Sequence, residues 1–272
     1  MGRARRHAYN RGMFVDSHCH LTFPELRQDI DAILQRMQAA LVNEALCICT
    51  ELEEFDAVHA LATAHAPLYA TVGVHPDNEG SRTPTVDELI ERAALPKVLG
   101  IGETGLDYYR LNGRTVAQME WQRERFRTHI RAARASGKPL VIHTRSAADD
   151  TLRLMREEGA DAAGGVLHCF TETWQVARAA LDMGFYISFS GIVTFKNAAE
   201  LRDVAARVPA DRLLIETDSP YLAPVPFRGK TNDPSLVPHV AACIAEVRGV
   251  EVAALAALTT HNFHALFRPN SC

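Results

Sequence analysis

Residues 97–107 read Lys97-Val98-Leu99-Gly100-Ile101-Gly102-Glu103-Thr104-Gly105-Leu106-Asp107. A short, nearly continuous apolar run of this kind has the character of a parallel strand buried on both faces. Its Gly-x-Gly leads into Glu103-Thr104-Gly105, which is not the G-x-G-x-x-G turn of a dinucleotide-binding open sheet. The run ends in a carboxylate instead.

Seven similar runs flank it: Phe14–His18, Ala45–Cys49, Leu68–His75, Pro139–His143, Gly165–His168, Phe185–Phe189 and Leu213–Glu216. Amphipathic stretches lie between them. Leu26, Ile30, Ile33, Leu34, Met37 and Leu41 recur at helical spacing, as do Met119, Phe126, Ile130 and Ala133. Thr50-Glu51-Leu52-Glu53 reads as a capping box opening the helix after the second strand. Gly137 and Pro139 stop the longest helix, and two more helices, about Pro234–Arg248 and Val250–Phe267, finish the chain. Eight strand–helix units predict the α/β class and one closed TIM-type (β/α)8 barrel.

A chain of 272 residues suits that barrel, which occupies about 250 residues as one domain. The barrel is expected over residues 13–272, behind a basic extension, residues 1–12, expected to be disordered. That arm carries four arginines and no acid, so the net charge of −4 becomes −8 without it. An apolar content of 47% excludes disorder over most of the chain. No apolar window reaches the length of a membrane-spanning helix, and no secretory signal is visible. The six cysteines form no C-x-x-C pair and read as reduced thiols. A cytoplasmic monomer with no membrane partner is expected.

Barrel active sites form at the C-terminal ends of strands. Here those ends carry Asp16-Ser17-His18-Cys19-His20, His75-Pro76, Glu103, His143-Thr144-Arg145, His168-Cys169 and Glu216-Thr217-Asp218. Period-two alternation turns His18 and His20 to one side and Cys19 to the other. Glu103 has two oxygens and can bridge two cations. His143 and His168 come from adjacent strands, and Asp218 closes back towards His18. The spacing therefore predicts a binuclear centre: one metal on His18, His20, Glu103 and Asp218, the other on Glu103, His143 and His168. Four imidazoles and two carboxylates suit Zn²⁺, Mn²⁺ or Fe²⁺, while Mg²⁺ prefers more oxygen ligands.

These motifs resemble the TatD family of metal-dependent deoxyribonucleases, among the amidohydrolase-like barrels. The resemblance spans Met13 to Phe267 and also rests on Val72-Gly73-Val74-His75-Pro76 and Glu216-Thr217-Asp218-Ser219-Pro220-Tyr221-Leu222-Ala223-Pro224. The segment Val225–Asn232 is similar to the YcfH-type branch. The resemblance implies a TIM barrel, two divalent ions (Mg²⁺, Mn²⁺ or Zn²⁺) and 3′→5′ exonuclease activity on DNA. It places ligand roles on the same six residues. Similar proteins that deacylate D-aminoacyl-tRNA keep an acyl-ester substrate open, and a non-catalytic metal-binding scaffold is the remaining alternative. Many amidohydrolase barrels bridge their metals with a carbamylated lysine; here Glu103 holds that strand end, and Lys97 lies at the strand's start.

The expected chemistry is in-line attack on phosphorus by a metal-bound hydroxide, with Asp218 and Glu103 catalytic and Asp218 taking the proton. His75, Arg145, Arg228 and Lys230 are candidate substrate contacts, against a polar-rim or salt-bridge role. Tyr108 and Tyr109 are candidates for base stacking, with core packing expected for at least one. Glu216 is expected to support a ligand from behind, and His261 and His264 to be structural or surface residues. The acidic body opposes broad duplex binding and favours a single-stranded DNA end as partner.

Overall fold

The computed structural model describes residues 13–269. The basic arm, residues 1–12, lies outside the described residues. The eight strands are β1 (Phe14–Cys19), β2 (Val42–Cys47), β3 (Leu68–Val72), β4 (Val98–Asp107), β5 (Leu140–Arg145), β6 (Gly165–Leu167), β7 (Tyr186–Phe189) and β8 (Leu213–Ile215). They pair in parallel in chain order. The ring closes just past β8, where the Asp218 N–H donates to the His18 carbonyl (2.9 Å) and the His20 N–H to the Ser219 carbonyl (2.8 Å). Asp16 reinforces the seam by accepting from the Thr217 N–H (2.9 Å) and hydroxyl (2.6 Å). The result is a nearly closed (β/α)8 barrel. No helix among the described residues is long and apolar enough to cross a membrane.

Helices α1 (Ile30–Ala39), α2 (Phe55–Ala64), α3 (Val86–Ala93), α4 (Glu120–Ser136), α5 (Ala148–Glu157), α6 (Trp174–Asp182), α7 (Ala199–Arg207) and α8 (Val237–Arg248) cover the strands. The expected capping box at Thr50 does not form. Thr50 donates instead to the Glu54 carboxylate (2.9 Å), residues 51–54 turn, and α2 starts at Phe55. Gly137 ends α4 in the left-handed conformation, as its position predicts. The cysteines described, Cys19, Cys47, Cys49, Cys169 and Cys243, are free thiols.

A last helix, α9 (Val252–Phe267), seals the end of the barrel opposite the site. Its Phe263 and Phe267 join one buried cluster with the lumen residues Val15, Leu46, Leu99, Val141 and Leu214. Asn262 donates to the Leu213 carbonyl at the start of β8 (2.9 Å). Among the described residues the lumen is thus a packed core, sealed at the end under α9.

Helix α4 also pins that open end. His129, fully buried, accepts the Val74 N–H at Nε2 (3.0 Å) and donates from Nδ1 to the Arg125 carbonyl (2.8 Å). Burial lowers its pKa from 6.5 to about 4. The unfolded chain then binds a proton that the folded chain refuses between pH 6.5 and 4. Stability from this group is complete above about pH 6.5 and is lost as pH falls towards 4, by about 3 kcal/mol in all. Urea unfolding at pH 7 and pH 4.5 is expected to show a smaller pH loss for His129→Gln than for the wild type. Equal losses contradict a neutral buried imidazole.

Candidate metal centre

Two strand irregularities set the site. From Asp16 to Cys19, β1 advances three residues while its partners on β2 advance two, Ala45 to Cys47. From Ile101 to Thr104, β4 advances three while β5 advances two, Leu140 to Val141 to Ile142. Each extra residue is a β-bulge, which re-aims the side chains beyond it. With Val15 turned into the lumen, strict alternation would turn Cys19 inward as well. The bulge sends Cys19 into the strand–helix core and His18 and His20 towards the site. Beyond the second bulge, Gly105 adopts φ +130°, where a Cβ would meet the His143 carbonyl oxygen at 2.0 Å. Only glycine lets β4 approach β5 that closely.

Glu103, almost completely buried, lies at the centre. Its Oε2 is 3.4 Å from His18 Nε2 and 3.8 Å from His20 Nε2. Asp218 Oδ1 lies 3.6 Å and 3.3 Å from the same two nitrogens, which are 3.2 Å apart. Donors about 2.0–2.1 Å from a shared tetrahedral centre stand about 3.3–3.4 Å from one another. The atoms of His18, His20 and Glu103 therefore lie close enough to share a divalent cation, and Asp218 Oδ1 stands beside the two imidazoles. The other oxygen of Glu103, Oε1, lies 2.8 Å from His168 Nε2, 3.3 Å from His143 Nδ1 and 3.3 Å from His75 Nε2.

The outward nitrogens decide which imidazoles can offer a lone pair. His168 Nδ1 faces the buried Glu216 (3.2 Å), which also accepts from the Cys169 N–H (2.8 Å). His143 Nε2 faces Asp107 (3.0 Å). Each carboxylate holds the ring proton on its own side and leaves the inner nitrogen free to ligate. His75 is the reverse case. Its Nδ1 accepts from the Asp77 N–H (3.0 Å), so Nε2 carries the proton and donates towards Glu103. His75 thus sits beside the cluster as a donor rather than a lone-pair ligand.

The charges interlock. Burial pushes Glu103 up, but the charges of His168 and His75 and the hydrogen bonds of His143 and His168 hold it well below the usual carboxylate range. Burial likewise opposes ionisation of Asp218, and the His20 hydrogen bond with the neighbouring imidazoles keeps it low. Burial lowers His168, yet Glu103 and Glu216 raise it well above the usual value. Burial and the neighbouring His168 leave His18 lowered. Two ionised carboxylates set among buried imidazoles are a donor set suited to divalent cations.

The structure brings together all six residues expected as ligands, with His75 beside them. The rim cations lie further out. Arg145 is exposed and stacks over the Tyr109 ring (3.7 Å), with no carboxylate partner among the described residues. The salt bridge considered for it does not form. Arg228 lies over Phe195 (3.7 Å) and Lys230 near Phe227 (5.8 Å). Tyr108 is buried and donates to Asp150 (2.8 Å), which leaves Tyr109 as the exposed member of that pair. His264 pairs with Glu44 (2.8 Å), a structural role.

Sequence reading gave Asp107 no part, although it ends β4 two residues before Tyr109. It also passed over Gln122 on α4, which accepts the Asp107 N–H (2.9 Å) and donates to the Asp107 carbonyl (3.1 Å). Strand position was a usable signal for Asp107. Nothing local pointed to Gln122.

The TatD-related DNase family model matches residues 15–268. The chain is 47% identical over 256 residues to the metal-dependent hydrolase YcfH of Escherichia coli K12, covering 93% of this chain and 95% of that one. It is 36% identical over 258 residues to the 3′-5′ ssDNA/RNA exonuclease TatD of Escherichia fergusonii, covering 93% and 98%. The crystal structure of YjjV, a TatD homologue from Escherichia coli K12, superposes with a TM-score of 0.85 at 31% identity, covering 94% of this chain and 98% of that one. Bulged ligand strands, a buried central glutamate and these similarities agree: the chain belongs to the TatD-related DNase family of metal-dependent hydrolases.

Proposed function

We propose that the protein is a 3′→5′ exodeoxyribonuclease that hydrolyses phosphodiester bonds at a single-stranded DNA end. The observation that carries this reading is Glu103, whose two oxygens face two separate donor sets. His18, His20, Glu103 and Asp218 would hold one divalent ion. Glu103, His143 and His168 would hold a second. Such a pair of ions neutralises charge on the phosphoryl oxygens and lowers the pKa of water.

The chain's own groups do the rest. Asp218, kept ionised by the imidazoles around it, accepts the proton of the attacking water. The water oxygen bonds to phosphorus, the P–O bond to the 3′-oxygen of the remaining strand breaks, and that oxygen takes up the proton held by Asp218. His75 turns its Nε2–H from Glu103 to a phosphoryl oxygen. Arg145, Arg228 and Lys230 meet the backbone phosphates of the incoming strand, each cation already oriented over an aromatic ring. The exonuclease named among the similar proteins supports this substrate.

The test is a product ladder from 5′-labelled single-stranded DNA with Mg²⁺, Mn²⁺ or chelator. Stepwise shortening is expected with metal and none with chelator. His143→Ala is expected to lose about 100-fold or more, since even partners of ligands typically cost 10–100-fold. An oligonucleotide left intact under every metal condition overturns the nuclease reading and moves the assay to acyl esters, beginning with D-aminoacyl-tRNA.

A further inference from the structure

Among the described residues, the exposed large aromatic side chains are Tyr109 and Tyr221, and both stand at the open end of the barrel. Tyr109 follows Asp107, the partner of His143. One face of its ring is covered by the Arg145 guanidinium at 3.7 Å. Tyr221 differs. Among the described residues no cation lies over its ring, its backbone N–H donates to the Asp218 carbonyl (3.1 Å), and half of its surface is exposed (51%).

Tyr221 also ends an aromatic series that starts at the metal centre. The His20 ring stacks on Phe23 with centroids 4.6 Å apart and planes 18° apart. Phe23 meets Tyr221 edge-on at 6.3 Å. Three rings thus step from the donor set of His18, His20 and Asp218 out to solvent, and the outermost has an open face. An exposed tyrosine ring offers a flat apolar face that a flat ligand can cover. Nucleobases are flat and apolar on both faces, and every base presents a π-face whatever its sequence.

Resting on the nuclease reading, we propose that Tyr221, backed by Phe23, is the platform on which the base nearest the scissile phosphate stacks. Tyr221 is then a specificity-determining residue: it makes the enzyme require a base at the strand end without choosing which one. Paired bases stack on their duplex neighbours, so the same platform selects unpaired ends. Arg145 on its tyrosine lies across the mouth, at β4–β5 rather than β8–β1, and serves the phosphates there.

The experiment crosses residue with substrate. The wild type, Tyr221→Ala and Tyr221→Phe are each given a single-stranded oligonucleotide with a normal 3′-terminal nucleotide and one with an abasic 3′-terminal sugar, and kcat/KM is measured for removal of that terminus. The wild type is expected to disfavour the abasic end by about 5- to 150-fold, the range a base–aromatic stack carries. Tyr221→Ala is expected to lose that discrimination, and Tyr221→Phe, which keeps the ring, to retain it. Discrimination that survives in Tyr221→Ala overturns the platform while leaving the nuclease reading intact. A wild type that removes both ends equally well does the same. A wild type that cleaves neither strand overturns the nuclease reading and the platform with it.

Discussion

Replacing Glu103 by glutamine is expected to lower the turnover of the metal-supplied enzyme by about 10³-fold or more, some 4 kcal/mol of barrier. The reason is geometric. Glutamine keeps one oxygen and the shape of the side chain but loses the charge and one acceptor. Its amide nitrogen must face either His18 and His20 or His143 and His168, and each set loses its anion in one of the two orientations. Removing a buried anion also leaves the raised imidazole of His168 without its nearest counter-charge. Metal bound per chain, measured by elemental analysis after dialysis, is expected to fall along with the rate. A variant with wild-type rate and wild-type metal content excludes Glu103 as the bridge.

Asp218→Asn is expected to act differently, lowering turnover by about 10²- to 10⁴-fold, the span of a positioned general base. Asparagine can keep an oxygen towards His20 Nε2, so metal content is expected to fall less than in Glu103→Gln. What it cannot do is accept a proton. The pair of variants therefore separates holding the ions from receiving the proton. Equal loss of metal in both variants makes Asp218 a ligand only.

The barrel was legible because each of its strands is a local event. Apolar runs such as Val98–Ile101 and Leu213–Ile215 need no distant partner to be recognised, and their order fixes which strand ends share a rim. The six clustered donors were legible for the same reason, since each terminates such a run or, like His20 and Asp218, follows its end by two residues. What escaped lies in contacts between distant segments. The partner of Asp107 is His143, 36 residues on, and the helix residue that grips the Asp107 backbone is Gln122, 15 residues on. His75 was legible as a residue at a strand end, but its tautomer depends on a turn that brings the Asp77 N–H back onto its ring. At Thr50 the local signal misled, because the hydroxyl found the Glu54 carboxylate before a helix could start. The bulges in β1 and β4 were illegible outright: period-two alternation describes a regular strand, and an inserted residue shows only against the partner strand.

The packed lumen under α9 governs traffic. Phe263 and Phe267 stopper the far end, so the barrel is a cup and not a tunnel. A strand cannot thread through it. Whatever is cut off at the bottom must leave by the same opening through which the remaining chain came, past that chain or after it has backed away. On the proposed reading, an exonuclease built on such a vessel must clear its product through the mouth its polymer occupies, and its pace is set by the emptying of the cup as much as by the breaking of the bond.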